Sequence, residues 1–575
     1  MALTIRTERP KSSRDYNQDP RIRSIDELQR IALDARDDFL GDDWGTKVKN
    51  FYALEGLLGK APSFRPQVKI PQLQVLSITE ATDITDSSPK VYIYDKKTGE
   101  NDQQRSRAFQ EQWNECFVNY ELLFASLWAQ FAGVGFLQIG YDPFRDGGFG
   151  SIWVKRRDPT TVGIDPGALC LQRPDCTYLV LEDRLYPDQV AYGWPESGAG
   201  MNAEAIMPGG KNSPAVLTGM PHKLTFPEGP MRMQNSSLTA DEIQSDGRLR
   251  VRYLFIDDRT IEVVKEQAGG DSAAIIEKGT YSKRLRYPGM RLIVGVSGSS
   301  GRVVADGDNP TPGGNFPLVP IYGLPPLSGF YPPPPTRYTE DLQLYVERLL
   351  TQIFENQVRL NNGVWFVDKG TGITAETFGG LPGELQLIED GSRMPTCVFP
   401  QSAANPQVMG FIQSLLALQK ELQGHSSSRE GSPGAGNLSP ELFEASIYQS
   451  QRLTRCRVRL LSRSVHQIAT QMYNLMCANY TEPRAFASNE GGFATYTWKP
   501  VYGVGARNMH LYIDPDSLQP MSQAALRQLA PMLRQEGALD VQTLLEWLQV
   551  PDAAGIAGRQ AREAGLAALM KVKRR

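Results

Sequence analysis

The chain has 575 residues, of which 41% are hydrophobic and 22% charged, and 61 Lys and Arg against 64 Asp and Glu give a net charge of −3. This composition is typical of a globular protein and excludes an intrinsically disordered one. At about 100–200 residues per domain, the length predicts three or four units. Proteins that grip nucleic acid by neutralising phosphates carry a basic excess, and this chain has none.

Residue patterns of the common enzymes are missing from the sequence. The four histidines form no His-Glu-x-x-His motif, and the glycine-rich stretches near Gly56, Gly209 and Gly295 each lack part of a phosphate loop or nucleophile elbow. The six cysteines include no Cys-x-x-Cys pair, which favours ordinary thiols in a reducing compartment. We therefore predict no enzymatic activity, metal or cofactor. Residues 1–20 lack an apolar core and no stretch of 18 apolar residues exists, so neither a signal peptide nor a membrane span is expected.

Hydrophobic spacing in the first part of the chain predicts a mixed α/β region. Cys116 and Phe117 fall on the broad apolar stripe of the longest helix expected here, and residues 194–230 read as a long surface insertion. The predicted elements are helices at 24–39 and 102–132, and strands at 136–141, 151–155, 177–183, 249–256 and 290–296.

A proline-rich segment follows at residues 308–335. It holds ten prolines, so it can form neither a helix nor a central strand. The run Pro332–Pro335 predicts a stiff extended spacer. This is the clearest boundary in the sequence, and we expect a hinge here.

The second part of the chain is predominantly helical. The predicted order is a helix at 336–361, a small β unit at 364–399, a helix at 406–424, a Gly/Ser-rich loop at 424–438, a long helix from Ser439 to about Ala478, and helices at 522–536 and 540–549. Two helices that bracket a small β unit suggest a stalk with a knob at its end. Helices with single apolar stripes cannot bury both sides alone, so we expect neighbouring copies to complete the packing.

This order of elements resembles the portal proteins of tailed bacteriophages, of the podovirus-like kind. The resemblance spans roughly residues 20–550 and depends on an ordered set of stretches rather than on one motif. Those stretches are Phe136-Leu-Gln-Ile-Gly-Tyr-Asp142, Asp158-Pro159, Ile164-Asp165-Pro166, Tyr287-Pro288-Gly-Met-Arg291-Leu-Ile293, Phe316-Pro317, Phe330-Tyr331 and Asp341-Leu342-Gln343.

The resemblance implies an α+β, phage-portal-like fold with an α/β wing, a two-helix stem, a small β-containing clip, a long wing helix and a helical crown, assembled as a ring. On this sequence it implies a wing at 1–335 with the Pro-rich hinge at 308–335, stem helices at 336–361 and 406–424, a clip at 362–405, a tunnel loop at 425–439, a long wing helix with following strands at 440–515, and a helical crown with the basic C-terminus at 516–575.

The function implied by the resemblance is that of a conduit. A ring, usually of twelve copies, sits at one capsid vertex, and double-stranded DNA passes through it during packaging and ejection without sequence-specific contacts. Implied partners are the terminase motor, the tail adaptor, and the capsid and scaffold proteins, with no membrane. The implied location is the virion, with host cytoplasm during assembly.

Candidate channel residues lie on the second stem helix and in the loop after it. Small flexible residues suit a constriction that moves as DNA passes. Lys420 and Arg429 could instead be solvated or paired with Glu421 and Glu430, and the loop could be a disordered surface linker. The candidates are Lys420, His425, Ser426, Ser427, Ser428, Arg429, Ser432 and Asn437.

Two further sets complete the candidate sites. A basic stripe at helical spacing, Arg452, Arg455, Arg459 and Arg463, could pair with acidic groups of an adjacent copy, contact DNA, or form a plain solvated face. The clip residues proposed to dock the terminase or adaptor are Trp365, Phe366, Phe378, Leu381, Glu384 and Arg393.

Two other classes of protein stay open. A minor head or adaptor protein could bind a portal without forming the channel, although a helix-knob-helix in a chain of this length argues against it. A DNA-packaging enzyme is the other alternative, but it would need the phosphate loop or carboxylate cluster that the sequence lacks.

Overall fold

The protein mixes helices and strands, as the α+β prediction requires. A computed structural model describes residues 20–41, 44, 68–86, 89–95, 102–143, 145–186, 189–190, 193–194, 249–265, 281–297, 302–327, 329–361, 364–366, 396–398, 406–425, 452–488, 492–496, 498, 509–513, 544 and 560. The predicted helix at 522–536, all but residue 544 of the predicted helix at 540–549, and most of the predicted insertion and Gly/Ser loop lie outside these residues.

The helices are α1 (Pro20–Leu40), α2 (Gln72–Thr85), α3 (Gln103–Glu115), α4 (Val118–Ala132), α5 (Arg337–Asn361), α6 (Pro406–Leu422) and α7 (Arg452–Asn479). The strands are β1 (Val91–Asp95), β2 (Val134–Asp142), β3 (Ser151–Arg157), β4 (Val162–Ile164), β5 (Tyr178–Leu185), β6 (Leu249–Ile256), β7 (Ile261–Lys265), β8 (Tyr281–Leu285), β9 (Arg291–Ser297), β10 (Arg302–Asp308), β11 (Leu318–Tyr322), β12 (Val364–Phe366), β13 (Thr396–Val398), β14 (Arg484–Ser488), β15 (Gly492–Tyr496) and β16 (Met509–Ile513).

The chain divides into two compact units. The larger one, called the body here, comprises residues 1–46, 78–335 and 452–575; the smaller one, called the helix-pair unit, comprises 47–77 and 336–451. One division falls between Pro335 and Thr336, at the end of the proline run. Another falls inside α2, between Ser77 and Ile78.

Two antiparallel sheets form the middle of the body. One has five strands in the order β10-β9-β6-β5-β4, and the other has three in the order β11-β2-β3. Side chains of a strand alternate between faces, and both faces of both sheets are buried. On β5, Tyr178 and Val180 pack against α1, whereas Leu179 and Leu181 join Phe136 of β2 in a shared core.

The other face of β2 completes the layering. Leu137 and Ile139 pack into a cluster with residues of α4 and α7, among them Ala125 and Val465. The body therefore stacks a helix, a five-stranded sheet, a three-stranded sheet and a helical layer. This layering explains why residues 134–137, the first part of β2, are buried at every position: both sides of the strand are covered there.

The predicted single helix at 102–132 is wrong, because the chain turns between α3 and α4. Phe117 adopts a left-handed backbone conformation (φ 51°) and its side chain is 71% exposed rather than buried on the helical stripe. Local bonds hold the turn: the Phe117 N–H donates to the Asn114 carbonyl at 2.9 Å, and the Trp113 Nε1–H donates to the Asn119 Oδ1 at 2.9 Å. A phenylalanine here costs about 1–2 kcal/mol of backbone energy.

The proline-rich segment packs tightly against the body. Pro332 and Pro335 are buried, and a Cβ placed on Gly133 (φ +84°) would lie 2.3 Å from the Pro332 carbonyl oxygen. Pro320 lies in β11, an edge strand, where the missing N–H does no harm to the ladder. The segment is thus built into the core where it meets Gly133.

Gly133→Ala should destabilise the body, because a methyl group would both strain the left-handed backbone and collide with Pro332. Gly147→Ala is the matched control: Gly147 has φ +69°, but a methyl group there would meet no atom within 4 Å. We expect Gly133→Ala to cost at least about 1 kcal/mol more than the control in urea denaturation. Equal losses would contradict a steric role for the proline segment.

Glu182 ties β5 to its neighbours through charge. Its carboxylate contacts Arg252 at 3.1 Å, Arg250 at 3.2 Å and the amide of Gln29 at 2.9 Å. Burial acts to raise the pKa of Glu182, but the attraction of Arg252 and Arg250 outweighs it and lowers the pKa below its ordinary value. A lowered pKa contributes stability above the unfolded value of about 4.3, and this is lost as pH falls through the folded pKa.

Glu182→Gln should therefore lower the free energy of unfolding by about 1–3 kcal/mol at pH 7. Because the wild-type carboxylate is itself protonated in strong acid, the difference from wild type should shrink there. Urea denaturation at pH 7 and near pH 3 measures both effects, with the exposed Glu27→Gln of α1 as the control. A difference that is the same at both pH values would refute the electrostatic role.

Candidate functional site

The helix pair α5 and α6 is the candidate site, since the two predicted stem helices and the described channel candidates Lys420 and His425 lie here. Helix α6 begins at Pro406, so the predicted proline occupies the first helical position. Gly424 ends it with φ +84°, and the Gly424 and His425 N–H groups donate to the Glu421 and Lys420 carbonyls, both at 2.9 Å. This is a Schellman cap, which stops the helix sharply.

A polar layer lies between the two helices. The Gln419 side-chain amide donates to the Gln343 Oε1 at 3.0 Å, and the Gln343 amide donates to the Glu347 carboxylate at 3.0 Å and to the Ile70 carbonyl. One turn away, the Gln423 amide donates to the Thr339 hydroxyl at 2.9 Å. These five side chains are buried, so each hydrogen bond replaces lost solvation and constrains the register of the helices.

The apolar side chains of α6 face the other way. Phe411, Leu415, Leu418 and Leu422 recur at intervals of four, three and four residues, which is the spacing of a helix-packing seam. Phe411, Leu418 and Leu422 are 57%, 42% and 45% exposed. The buried positions Ile412, Gln419 and Gln423 lie about 100° around the helix from this seam. We call the exposed set the α6 seam.

Helix α5 has a matching exposed face. Leu342, Leu349 and Ile353 are half-buried and Tyr345 is 58% exposed, and all four lie within one side of the helix. We call this set the α5 seam. The helix pair therefore buries a layer of polar side chains together with Val346 and Ile412, and it leaves the apolar α5 and α6 seams exposed or half-buried, whereas a pair that is stable alone in water buries its apolar faces.

The predicted channel residues fall partly within the described chain. Lys420 is half-buried in the last turn of α6, where the helix dipole favours a cation. His425 is buried directly after the cap, so it lies at the end of α6 and not in a loop. Ser426, Ser427, Ser428, Arg429, Ser432 and Asn437 lie outside the described residues.

The predicted clip is described only at its two strands. Trp365 and Phe366 lie in β12, which pairs antiparallel with β13, so that Trp365 faces Cys397 in the register. This places the two aromatic residues on one small β ladder between α5 and α6 in the sequence. Phe378, Leu381, Glu384 and Arg393 lie outside the described residues.

The arginine stripe lies on α7, in the body. Arg452 is the first residue of the helix, Arg455 is half-buried, and Arg459 and Arg463 are exposed. The structure therefore separates this stripe from the stem residues by placing them in different units.

Sequence reasoning missed Arg457 on the buried face of α7. Its guanidinium contacts the Glu80 carboxylate of α2 at 2.8 Å, and the Thr454 hydroxyl donates to the same carboxylate at 3.1 Å. Arg457 stands beside Val458 and Leu461 on the apolar side of the helix. The sequence could have indicated this contact, because an arginine on the apolar side of a helix is a buried charge and needs an oppositely charged partner.

The described part of the chain contains neither a metal cluster nor a membrane-spanning helix. No three His, Cys, Asp or Glu side chains there converge on a common point, and no helix among those residues is long and apolar enough to cross a membrane. In comparisons with known proteins, no protein-family model matches the chain and no curated protein matches it.

Proposed function

We propose that the chain is a phage portal protein. Copies of it form a ring-shaped channel at one capsid vertex, through which double-stranded DNA is packaged and ejected, and the ring docks the terminase motor and later the tail adaptor. The observation that carries the proposal is the helix pair, which buries a layer of polar side chains and leaves two apolar seams exposed or half-buried. Exposed apolar faces of this kind mark surfaces that other protein covers.

A second copy of the chain is the partner that fits both seams. The α5 seam and the α6 seam differ in residues and lie on different helices, so one copy can present its α6 seam to the α5 seam of the next. Such a head-to-tail contact uses two different surfaces, and it closes into a ring when the rotation between copies allows it. The near-neutral net charge suits a conduit, because deep phosphate sites would hinder sliding.

Leu418→Glu with Leu422→Glu should abolish the ring, because it places two charges in the α6 seam. The matched control is Gln413→Glu with Ala417→Glu, an exposed pair at the same spacing on the opposite side of α6. Negative-stain microscopy and mass photometry should show rings with a central hole for the wild type and the control, and monomers for the seam variant. A monomeric wild-type protein would overturn the proposal.

Channel function is tested in packaging assays. Deleting residues 427–435 should leave the ring intact but impair DNA packaging or retention, since this stretch is expected to line the constriction. Lys420→Ala with Arg429→Ala should slow packaging through lost phosphate contacts. Virions that contain DNA of wild-type length, packaged at the wild-type rate, would contradict the channel role of the residues changed.

A further inference from the structure

Two charged surfaces of the body lie outside the seams. The first is the corner between α3 and α4, formed by Glu111, Glu115 and Phe117. Glu115 and Phe117 are exposed and Glu111 is half-buried. Partial burial, together with the negative charges of Glu111 and Asp146, raises the pKa of the Glu115 carboxyl, although Arg484 opposes the shift. We call this surface the acidic corner.

The second surface is the pair Arg459 and Arg463 on α7. Both side chains are exposed, and among the described residues neither forms an ion pair with a carboxylate. The opposite face of the same helix is anchored by Val458, Leu461 and the buried Arg457–Glu80 pair. The two guanidinium groups are therefore held facing away from the core on a rigid helix.

These surfaces match in spacing as well as in charge. Glu111 and Glu115 are one helical turn apart, and so are Arg459 and Arg463, which gives about 5–6 Å between Cβ atoms in each pair. Phe117, two residues after Glu115, adds an exposed ring, and arginine favours such a ring. The body already uses this contact: Arg484 lies 3.5 Å from the Tyr480 ring centroid and Arg156 lies 3.9 Å from that of Phe124.

Within one chain the two surfaces cannot meet. The Tyr480 hydroxyl donates to the Gln112 Oε1 of α3 at 3.1 Å, which places the acidic corner near the end of α7. Arg463 precedes Tyr480 by 17 residues of this helix, which corresponds to about 25 Å. A chain that carries complementary surfaces this far apart can join head to tail with its copies.

We propose that the acidic corner of one copy binds Arg459 and Arg463 of the next copy in the ring. The guanidinium groups pair with Glu111 and Glu115, and one of them lies against the Phe117 ring. The inference rests on the proposed ring assembly and names a second contact between its copies, independent of the α5 and α6 seams. Charged contacts of this type contribute to partner choice and register as well as to affinity.

A charge-swap experiment tests the contact. Glu111→Lys with Glu115→Lys, and separately Arg459→Glu with Arg463→Glu, should each raise the protein concentration for half-maximal assembly about tenfold or more, as measured by mass photometry. The quadruple variant should restore assembly, because the charges are exchanged. Asp34→Lys with Asp38→Lys, an exposed pair at the same spacing on α1, is the control and should assemble like the wild type.

The outcomes separate this inference from the proposed function. A wild-type chain that forms no ring refutes the ring itself. If the ring still forms with both charge-reversal variants, only this contact is refuted. The same holds if the quadruple variant does not restore assembly. Arg459→Gln with Arg463→Gln removes the two charges with a smaller change than charge reversal, and it therefore controls for misfolding of the reversed variants. In this variant assembly should weaken and lose much of its dependence on salt concentration. An unchanged salt dependence of assembly would also refute the contact.

Discussion

The hydrogen bond between Gln419 and Gln343 is the constraint on which the candidate site depends. Both amides are buried, so a shift of either helix by one residue would leave polar groups without partners inside the pair. An apolar seam between the same helices would tolerate such a shift better. The polar layer therefore fixes which side chains of α5 and α6 point outward, and it directs the leucines of the α6 seam into water unless another chain covers them.

In the body, by contrast, apolar side chains are buried within the single chain. Both faces of β2 are buried, one against the five-stranded sheet and the other against helices, so its apolar strands are satisfied within the chain. Charges at the sheet surface are paired, as Arg157 is with Asp183 at 2.8 Å. Such a unit can fold from its own core. The helix-pair unit buries Val346 and Ile412 within the chain, but it leaves the side chains of its two seams exposed or half-buried.

Periodicity predicted the longer helices and the strands β2, β3, β5, β6 and β9, but it predicted neither α2 nor β1 and few of the contacts between elements. The strand at 249–256 and the helix beginning at Pro406 were predicted because their apolar spacing is regular. The turn at Phe117 was missed because the apolar stripe runs through it without a break. The Gln343–Gln419 and Glu80–Arg457 contacts were also missed, since each joins residues far apart in sequence and no spacing rule pairs them.

The side of α6 that belongs neither to the α5 contact nor to the α6 seam is relevant to the proposed DNA channel. One side of the helix packs on α5, and in the proposed ring the α6 seam is covered by the next copy. The remaining side carries Gln413, Ala417, Lys420 and Glu421, which give one cation and one carboxylate over two turns. A wall of that composition would bind phosphates weakly and release them readily, because affinity for DNA rises steeply with the number of cations that meet the backbone. In the proposed ring, the same helix would thus provide an assembly surface and a surface with little hold on DNA.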